Sequence, residues 1–235
     1  MIAHKLFGRP KGGRLANQLF QYAALFSIAK KNGYEFVFSE SQIQVFGRCF
    51  TFNSAKVLSN ETWGPPFTAM VKYVENESVG VDIEALSAPD NTMFEGFCQS
   101  EEYFKEFSDD IKEELQYNPA VFAAAKTALN QLKAHSIVRG KQIVSVHCRK
   151  GDYVDHDYIC LPVEYYAVAF SKFNPSDTVF VICSDEVQAA KKMFGTLKGK
   201  SERPTILYSP FSVKETGMLN PAVDMALMSL SDHCI

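Results

Sequence analysis

The sequence predicts an α/β protein built on parallel β-sheet, and three observations carry that reading. In residues 142–230 short apolar runs (Gln142–Cys148, Thr178–Cys183 and Thr205–Tyr208) alternate with amphipathic stretches (Pro162–Phe173, Asp185–Phe194 and Pro221–Leu230). Strands apolar on both faces, separated by helices, make a parallel sheet covered on both sides. Near the start, Gly12-Gly13-Arg14 precedes Leu19, Phe20, Ala23, Phe26 and Ala29, an apolar stripe at helical spacing. The composition is that of an ordinary globular chain: 235 residues, 46% hydrophobic and 22% charged, enough for one large core or two small ones.

Gly33 stops the first helix, and Glu35–Ser39 reads as a strand. No strand is recognisable before that helix, because Lys5–Lys11 contains Gly8 and Pro10. Residues 40–95 are irregular and rich in Phe, Ser, Asn and Pro, so short strands and loops are expected there. Ser100 is placed as an N-cap, with Glu101 and Glu102 favourable to the helix dipole and Tyr103, Phe104, Phe107, Ile111 and Leu115 giving a buried face. Asn118-Pro119 opens another helix that runs to about His135. The polar Ser136–Lys141 segment is the expected boundary, dividing the chain into domains 1–138 and 139–235.

Bulk properties exclude several classes. Lys and Arg total 24 against 27 Asp and Glu, a net charge of −3, which does not point to nucleic acid as the partner. The six cysteines are far apart with no Cys-x-x-Cys pair, and Cys148 and Cys183 sit in apolar runs as buried small residues do. No stretch approaches the ~18 apolar residues of a membrane span. Asn60-Glu61-Thr62 and Asn76-Glu77-Ser78 fit the N-glycosylation pattern, which matters only for a secreted chain. Asp152, Asp155, His156 and Asp157 form a polar run, yet its spacing matches neither an EF-hand nor a zincin. A nucleophile elbow and a kinase signature set are both missing.

Three clusters have chemical potential. His147-Cys148-Arg149-Lys150-Gly151-Asp152-Tyr153 follows the first strand of the second half, at the strand end where α/β proteins bind ligands. Arg149 offers a bidentate grip on phosphate, Gly151 allows close backbone approach, and Asp152 is placed to orient the guanidinium. The same residues also suit a surface turn with a solvated Arg-Lys pair. Ser184-Asp185-Glu186 follows the next strand, and helix capping alone accounts for it. Gly12–Gln18 opens a helix, whose N-terminus attracts phosphate, but it matches no nucleotide-loop pattern.

Taken together and in order, these clusters resemble the α-1,2-fucosyltransferases of glycosyltransferase family 11. Gly13-Arg14-Leu15-Ala16-Asn17-Gln18-Leu19-Phe20-Gln21-Tyr22-Ala23 is similar to the family's opening run, with Ala16 in place of a glycine. Gly96-Phe97-Cys98-Gln99-Ser100-Glu101-Glu102-Tyr103-Phe104 is similar to its middle run. His147-Cys148-Arg149-Lys150-Gly151-Asp152-Tyr153 is similar to its His-x-Arg-Arg-Gly-Asp-Tyr motif, and Leu161-Pro162, Tyr165-Tyr166, Ser184-Asp185 and Asp224–Leu230 fall where the family has its later motifs.

The resemblance implies a GT-B-like fold of two Rossmann-like halves facing a cleft. It implies inverting, metal-independent transfer of fucose from GDP-fucose to the 2-hydroxyl of a galactose-terminated glycan, with no cofactor. Arg149, His147 and Asp152 are the implied catalytic residues, and Asn17, Arg149, Gly151, Ser184 and Asp185 the implied donor-binding ones. No catalytic base stands out. Family members continue beyond Ile235 into a further strand and helix, so the second half is expected to lack both, with Ile235 as that strand's first residue. An inactive GDP-sugar-binding protein and an incomplete gene product are the alternatives to an enzyme. Animal relatives imply a Golgi location and bacterial ones a cytoplasmic location.

Overall fold

Strand β1 (Ile2–His4), only three residues long and fully buried, lies in the middle of the first sheet. The computed structural model describes residues 1–8, 14–76, 80–151, 160–197, 204–211 and 220–235, and they divide into two units, Met1–Asn118 and Pro119–Ile235. A strand therefore does precede the first helix, ahead of Lys5–Lys11, where none was recognisable from sequence. Its brevity and its buried histidine left no strand pattern to read.

In the first unit β1 is followed by α1 (Leu15–Asn32), β2 (Phe36–Ser39), α2 (Glu40–Ile43), α3 (Phe46–Cys49), β3 (Phe50–Thr51) and β4 (Lys56–Leu58). Then come α4 (Asn60–Phe67), β5 (Val71–Val74), α5 (Ile83–Leu86), β6 (Thr92–Glu95), α6 (Ser108–Glu114) and β7 (Gln116–Tyr117). The sheet order is β4-β2-β1-β6-β5, with every pairing parallel. Helix α1 covers this sheet with Tyr22, whose ring stacks on Phe38 and Phe46 at 5.8 and 5.3 Å. Phe7 packs against the same two rings, so the phenylalanine excess goes into this core. The short helices of the irregular region start at side-chain caps: Ser39 forms a capping box with Gln42, and Ser59 accepts from the Thr62 amide. Ser100 does cap a helical segment, but that segment consists of two 3₁₀ turns, Glu101–Tyr103 and Lys105–Phe107, before α6 begins.

Glu114, at the end of α6, is a buried carboxylate that locks this unit. Its Oε1 accepts from Tyr22 Oη at 2.6 Å and from the Asn53 and Ser54 amides at 2.9 and 2.8 Å; Oε2 accepts from Ser54 Oγ at 2.8 Å. Burial alone would raise its pKa. The four hydrogen bonds outweigh that and hold it below the ordinary value.

The second unit contains α7 (Pro119–Ala134), β8 (Gln142–Cys148), α8 (Val163–Phe170), β9 (Thr178–Ser184), α9 (Val187–Gly195), β10 (Thr205–Tyr208), α10 (Asn220–Ser229) and β11 (His233–Cys234). Its sheet is parallel, in the order β10-β9-β8-β11. Val144, Val146, Phe170, Phe180, Ile182 and Phe194 form one continuous core, with Phe170 stacked on Phe180 at 4.1 Å. Helix α7 packs against α10, which places the division between units at 118/119 rather than within 136–141.

One strand of this sheet was expected to be absent up to Ile235. Instead β11 is already paired with β8 from His233, the Ile235 amide donates to Ser145 O and the His147 amide donates to Ile235 O, each at 2.9 Å. Cys49, Cys98, Cys148 and Cys183 are buried, and all six cysteines are free thiols. Among the described residues no helix is long and apolar enough to cross a membrane.

Candidate functional site

At the carboxyl end of the second sheet, β8 runs into Arg149-Lys150-Gly151 while its neighbour β9 runs into Asp185. Because the strands are parallel, both turns emerge on the same edge, and Asp185 reaches across to the neighbouring one. Its Oδ1 accepts from the Lys150 and Gly151 amides at 2.9 and 3.2 Å. Its Oδ2 lies 2.9 Å from Arg149 Nη1, with both side chains about a quarter exposed at 23% and 24%. One carboxylate therefore fixes the guanidinium and the backbone turn together.

Gly151 thus has a different role from the one its sequence position suggested. The two amides of the turn already bond Asp185, and a Cβ on Gly151 would collide with Asp185 Oδ2. Glycine is needed here to seat the carboxylate. Asp185 is likewise no helix cap: α9 starts at Val187 with Glu186 as its N-cap, and Ser184, 4% exposed, accepts from the Glu186 amide at 3.1 Å in the turn before the helix.

His147 lies on β8 two residues before Arg149 and keeps its solvent contact. Close surrounding protein lowers its pKa through desolvation; Asp185 and Asp224 oppose this, and Arg149 adds to it. Asp224, on α10, was only a motif position in the sequence. It accepts a hydrogen bond from Ser209, the residue after β10, and so joins the same strand edge. Lys150 Nζ donates to Cys160 Sγ at 3.2 Å and lies 3.5 Å from Leu161 O, tying the turn to the segment that leads into α8. Asp152 lies outside the described residues; among those described, the acid that orients Arg149 is Asp185. Thus His147, Arg149, Gly151, Ser184 and Asp185 are brought to one edge of one sheet.

Asn17 belongs to the first unit, in the first turn of α1, where its Oδ1 accepts from Gln99 Nε2 at 2.8 Å. This joins the opening and middle motifs. Two further groups shape that region. His4 is fully buried; its Nε2 bonds Gly96 O at 3.0 Å, and its Nδ1 accepts from the Leu6 and Phe7 amides at 3.2 and 3.1 Å. Burial lowers its pKa to about 4, so it is neutral near pH 7. The second group is Glu75, whose carboxylate accepts from the Phe97 and Cys98 amides. Neither gave a sequence signal: His4 stands next to Lys5 and Glu75 opens the polar run 75–78, so nothing local marks either as a bonding partner of a distant turn. Among the described residues no group of three His, Cys, Asp or Glu side chains is arranged to hold a metal ion.

Two units, each built on a parallel sheet, are what a GT-B-like α/β protein contains, and the second bears an acid-clamped arginine at a strand's carboxyl end. The chain belongs to glycosyl transferase family 11, whose profile matches residues 5–235. It is 26% identical over 178 residues to an alpha-1,2-colitosyltransferase of Escherichia coli, a match covering 73% of this chain and 56% of that protein. The chain thus spans little more than half the length of that relative. Among solved structures it is similar to the fucosyltransferase NodZ from Bradyrhizobium (15% identity, TM-score 0.58, 99% of this chain and 86% of that one). NodZ alpha-1,6-fucosyltransferase co-crystallized with GDP matches at 14% identity and TM-score 0.57, again over 99% and 86%. These structural likenesses establish the shared fold.

Proposed function

We propose that this chain carries the GDP-sugar transfer machinery of an α-1,2-fucosyltransferase, moving fucose with inversion from GDP-fucose to the 2-hydroxyl of a terminal galactose. The observation that carries the reading is the Arg149–Asp185 clamp. Breaking the bond between the anomeric carbon and the phosphate leaves negative charge on departing GDP, and an arginine fixed beforehand stabilises that charge without reorganising. Asp185 supplies the fixing. The acceptor oxygen forms the new bond from the face opposite departing GDP, which inverts the anomeric carbon, and the acceptor's proton passes to solvent. Arg149 supplies the cation, so the reaction needs no metal. A relative named for α-1,2 transfer supports the linkage, and a similar structure co-crystallized with GDP, itself an α-1,6-fucosyltransferase, supports the donor class.

The test is a transfer assay of the purified chain with lactose and GDP-fucose, in EDTA, alongside GDP titration followed by thermal shift. A fucosylated product carrying a 1→2 linkage, and stabilisation by GDP, are expected. No stabilisation at millimolar GDP overturns the reading, because a ligand that binds the native state must raise its stability. Because the relative's name specifies colitose, a colitose nucleotide is the second donor to compare. Preference for it would keep the reaction class and change the sugar.

A further inference from the structure

Well along α1 from its first turn, the first unit holds a cavity of about 320 Å³ between α1, α5 and the two 3₁₀ turns. Val81, Ile83, Leu86, Tyr103 and Phe107 line it, and so does Ser27 of α1. Ser27 stands ten residues beyond Asn17 in the same helix, about 15 Å along its axis. Polar bonds behind the lining hold it in place. Tyr103 Oη donates to Glu75 Oε1 at 2.7 Å and accepts from the Asp82 amide at 2.9 Å. Asp82, between Val81 and Ile83, accepts in turn from Tyr73 Oη and the Asn76 amide at 2.7 and 2.9 Å. The charged lining residues are exposed and paired among themselves: Lys31 of α1 meets Glu106 at 3.0 Å, and Lys105 meets Glu102. The space is kept open by the fold and is not a gap left by loose packing.

Ser27 is only 2% exposed, and among the described residues its Oγ has no hydrogen-bond partner. A serine inside a helix commonly returns its hydroxyl to the carbonyl one turn back. A buried hydroxyl left unpaired carries a desolvation penalty that a ligand atom can relieve. Ile83, on the same cavity, is 73% exposed, an apolar side chain with nothing over it among the described residues. The lining selects the class of ligand. Aliphatic side chains and two aromatic rings suit another ring. A cavity of about 150 Å³ holds benzene, so this one admits a single ring with a short substituent. Both lysines already have glutamate partners, so a charged ligand must break an ion pair, whereas Ser27 offers a hydrogen bond to a neutral oxygen. We infer that this cavity binds a small neutral aromatic alcohol or phenol, its hydroxyl on Ser27 Oγ and its ring among Val81, Leu86 and Phe107. The site shares no residue with the Arg149 turn or the Asn17–Gln99 pair, and it does not rest on the transferase reading.

The experiment follows the isoleucine, leucine and valine methyl signals of the full chain by NMR while p-cresol is titrated in, with toluene, benzoate and benzylammonium as comparators. Shifts are expected at Ile83, Leu86 and Val81, with a Kd in the millimolar range or tighter. Toluene should bind about tenfold more weakly, the effect of one hydrogen bond, and the two ions should leave these methyls unmoved. Ser27→Ala should keep the melting temperature, since it removes a hydroxyl without a partner, and should bind p-cresol no better than toluene. Saturating GDP should leave the p-cresol Kd unchanged. The inference is overturned if millimolar p-cresol moves none of the three methyls, or if toluene matches p-cresol on the wild type. It is equally overturned if Ser27→Ala still discriminates the two, or if GDP displaces p-cresol, which would put the phenol in the nucleotide site.

Discussion

Asp185 closes over Gly151: one carboxylate oxygen accepts the glycine's amide at 3.2 Å, and the other occupies the space a Cβ would need. A single alanine substitution is therefore a steric probe of this contact. Gly151→Ala is expected to cost about 1–3 kcal/mol, as overpacking of a filled site does, read as a drop in melting temperature. Combining it with Asp185→Ala should give less than the sum of the two single losses, because the second change removes the first one's obstacle. Strict additivity would mean that the two residues do not meet.

Arg149→Ala should lower the transfer rate on the order of 10²–10³-fold, the usual loss for one fixed charge partner at a developing anion. Arg149 is partly exposed, so circular dichroism and melting should change little. Arg149→Lys should restore little, since an ammonium cannot grip carboxylate and phosphate in the fork geometry. Normal turnover by a folded Arg149→Ala protein would remove Arg149 from the mechanism.

His4 makes the first unit acid-sensitive. Its folded pKa of about 4 lies below the ordinary 6.5, so the unfolded chain takes up a proton that the folded one refuses. Its contribution is complete above pH 6.5 and is lost as pH falls from 6.5 to about 4, a change on the order of 3 kcal/mol for a buried group shifted this far. Urea denaturation across that range reads it, and His4→Asn should flatten the slope.

Tyr22→Phe tests the buried Glu114 network. Losing the 2.6 Å bond to a buried carboxylate should cost about 1.5–3 kcal/mol. The aromatic stack remains, so the change should appear in stability and leave GDP affinity alone. A neutral result would mean that the amides of Asn53 and Ser54 suffice.

The second unit was legible in the sequence almost residue by residue. Gln142–Cys148 and Thr205–Tyr208 match their strands as read, because short apolar runs of this length with β-branched residues favour strand over helix. The α1 helix was marked at its end by Gly33. Elsewhere the signals failed for identifiable reasons. β1 is too short to show alternation, and helices of four residues, such as α2 and α5, are set by caps and tertiary contacts rather than by periodicity. In the site, Arg149 stood out by residue type and position. What Asp185 and Glu75 do could not be read, because reaching from one strand end to its neighbour is a property of the sheet and leaves no trace in local spacing.

The pairing of β8 with β11 has a consequence for how the chain is made. The Ile143 amide finds Asp232 across 89 residues of sequence, and β1 in the first unit waits as long for β6, where His4 faces Phe94. During synthesis each of these strands is therefore committed on one side only, with an open apolar edge, until its distant neighbour leaves the ribosome. Long-range closure of this kind is slow, and an unfinished edge is an invitation to aggregate. Exposure to aggregation at birth, more than fragility once folded, is what this topology brings with it.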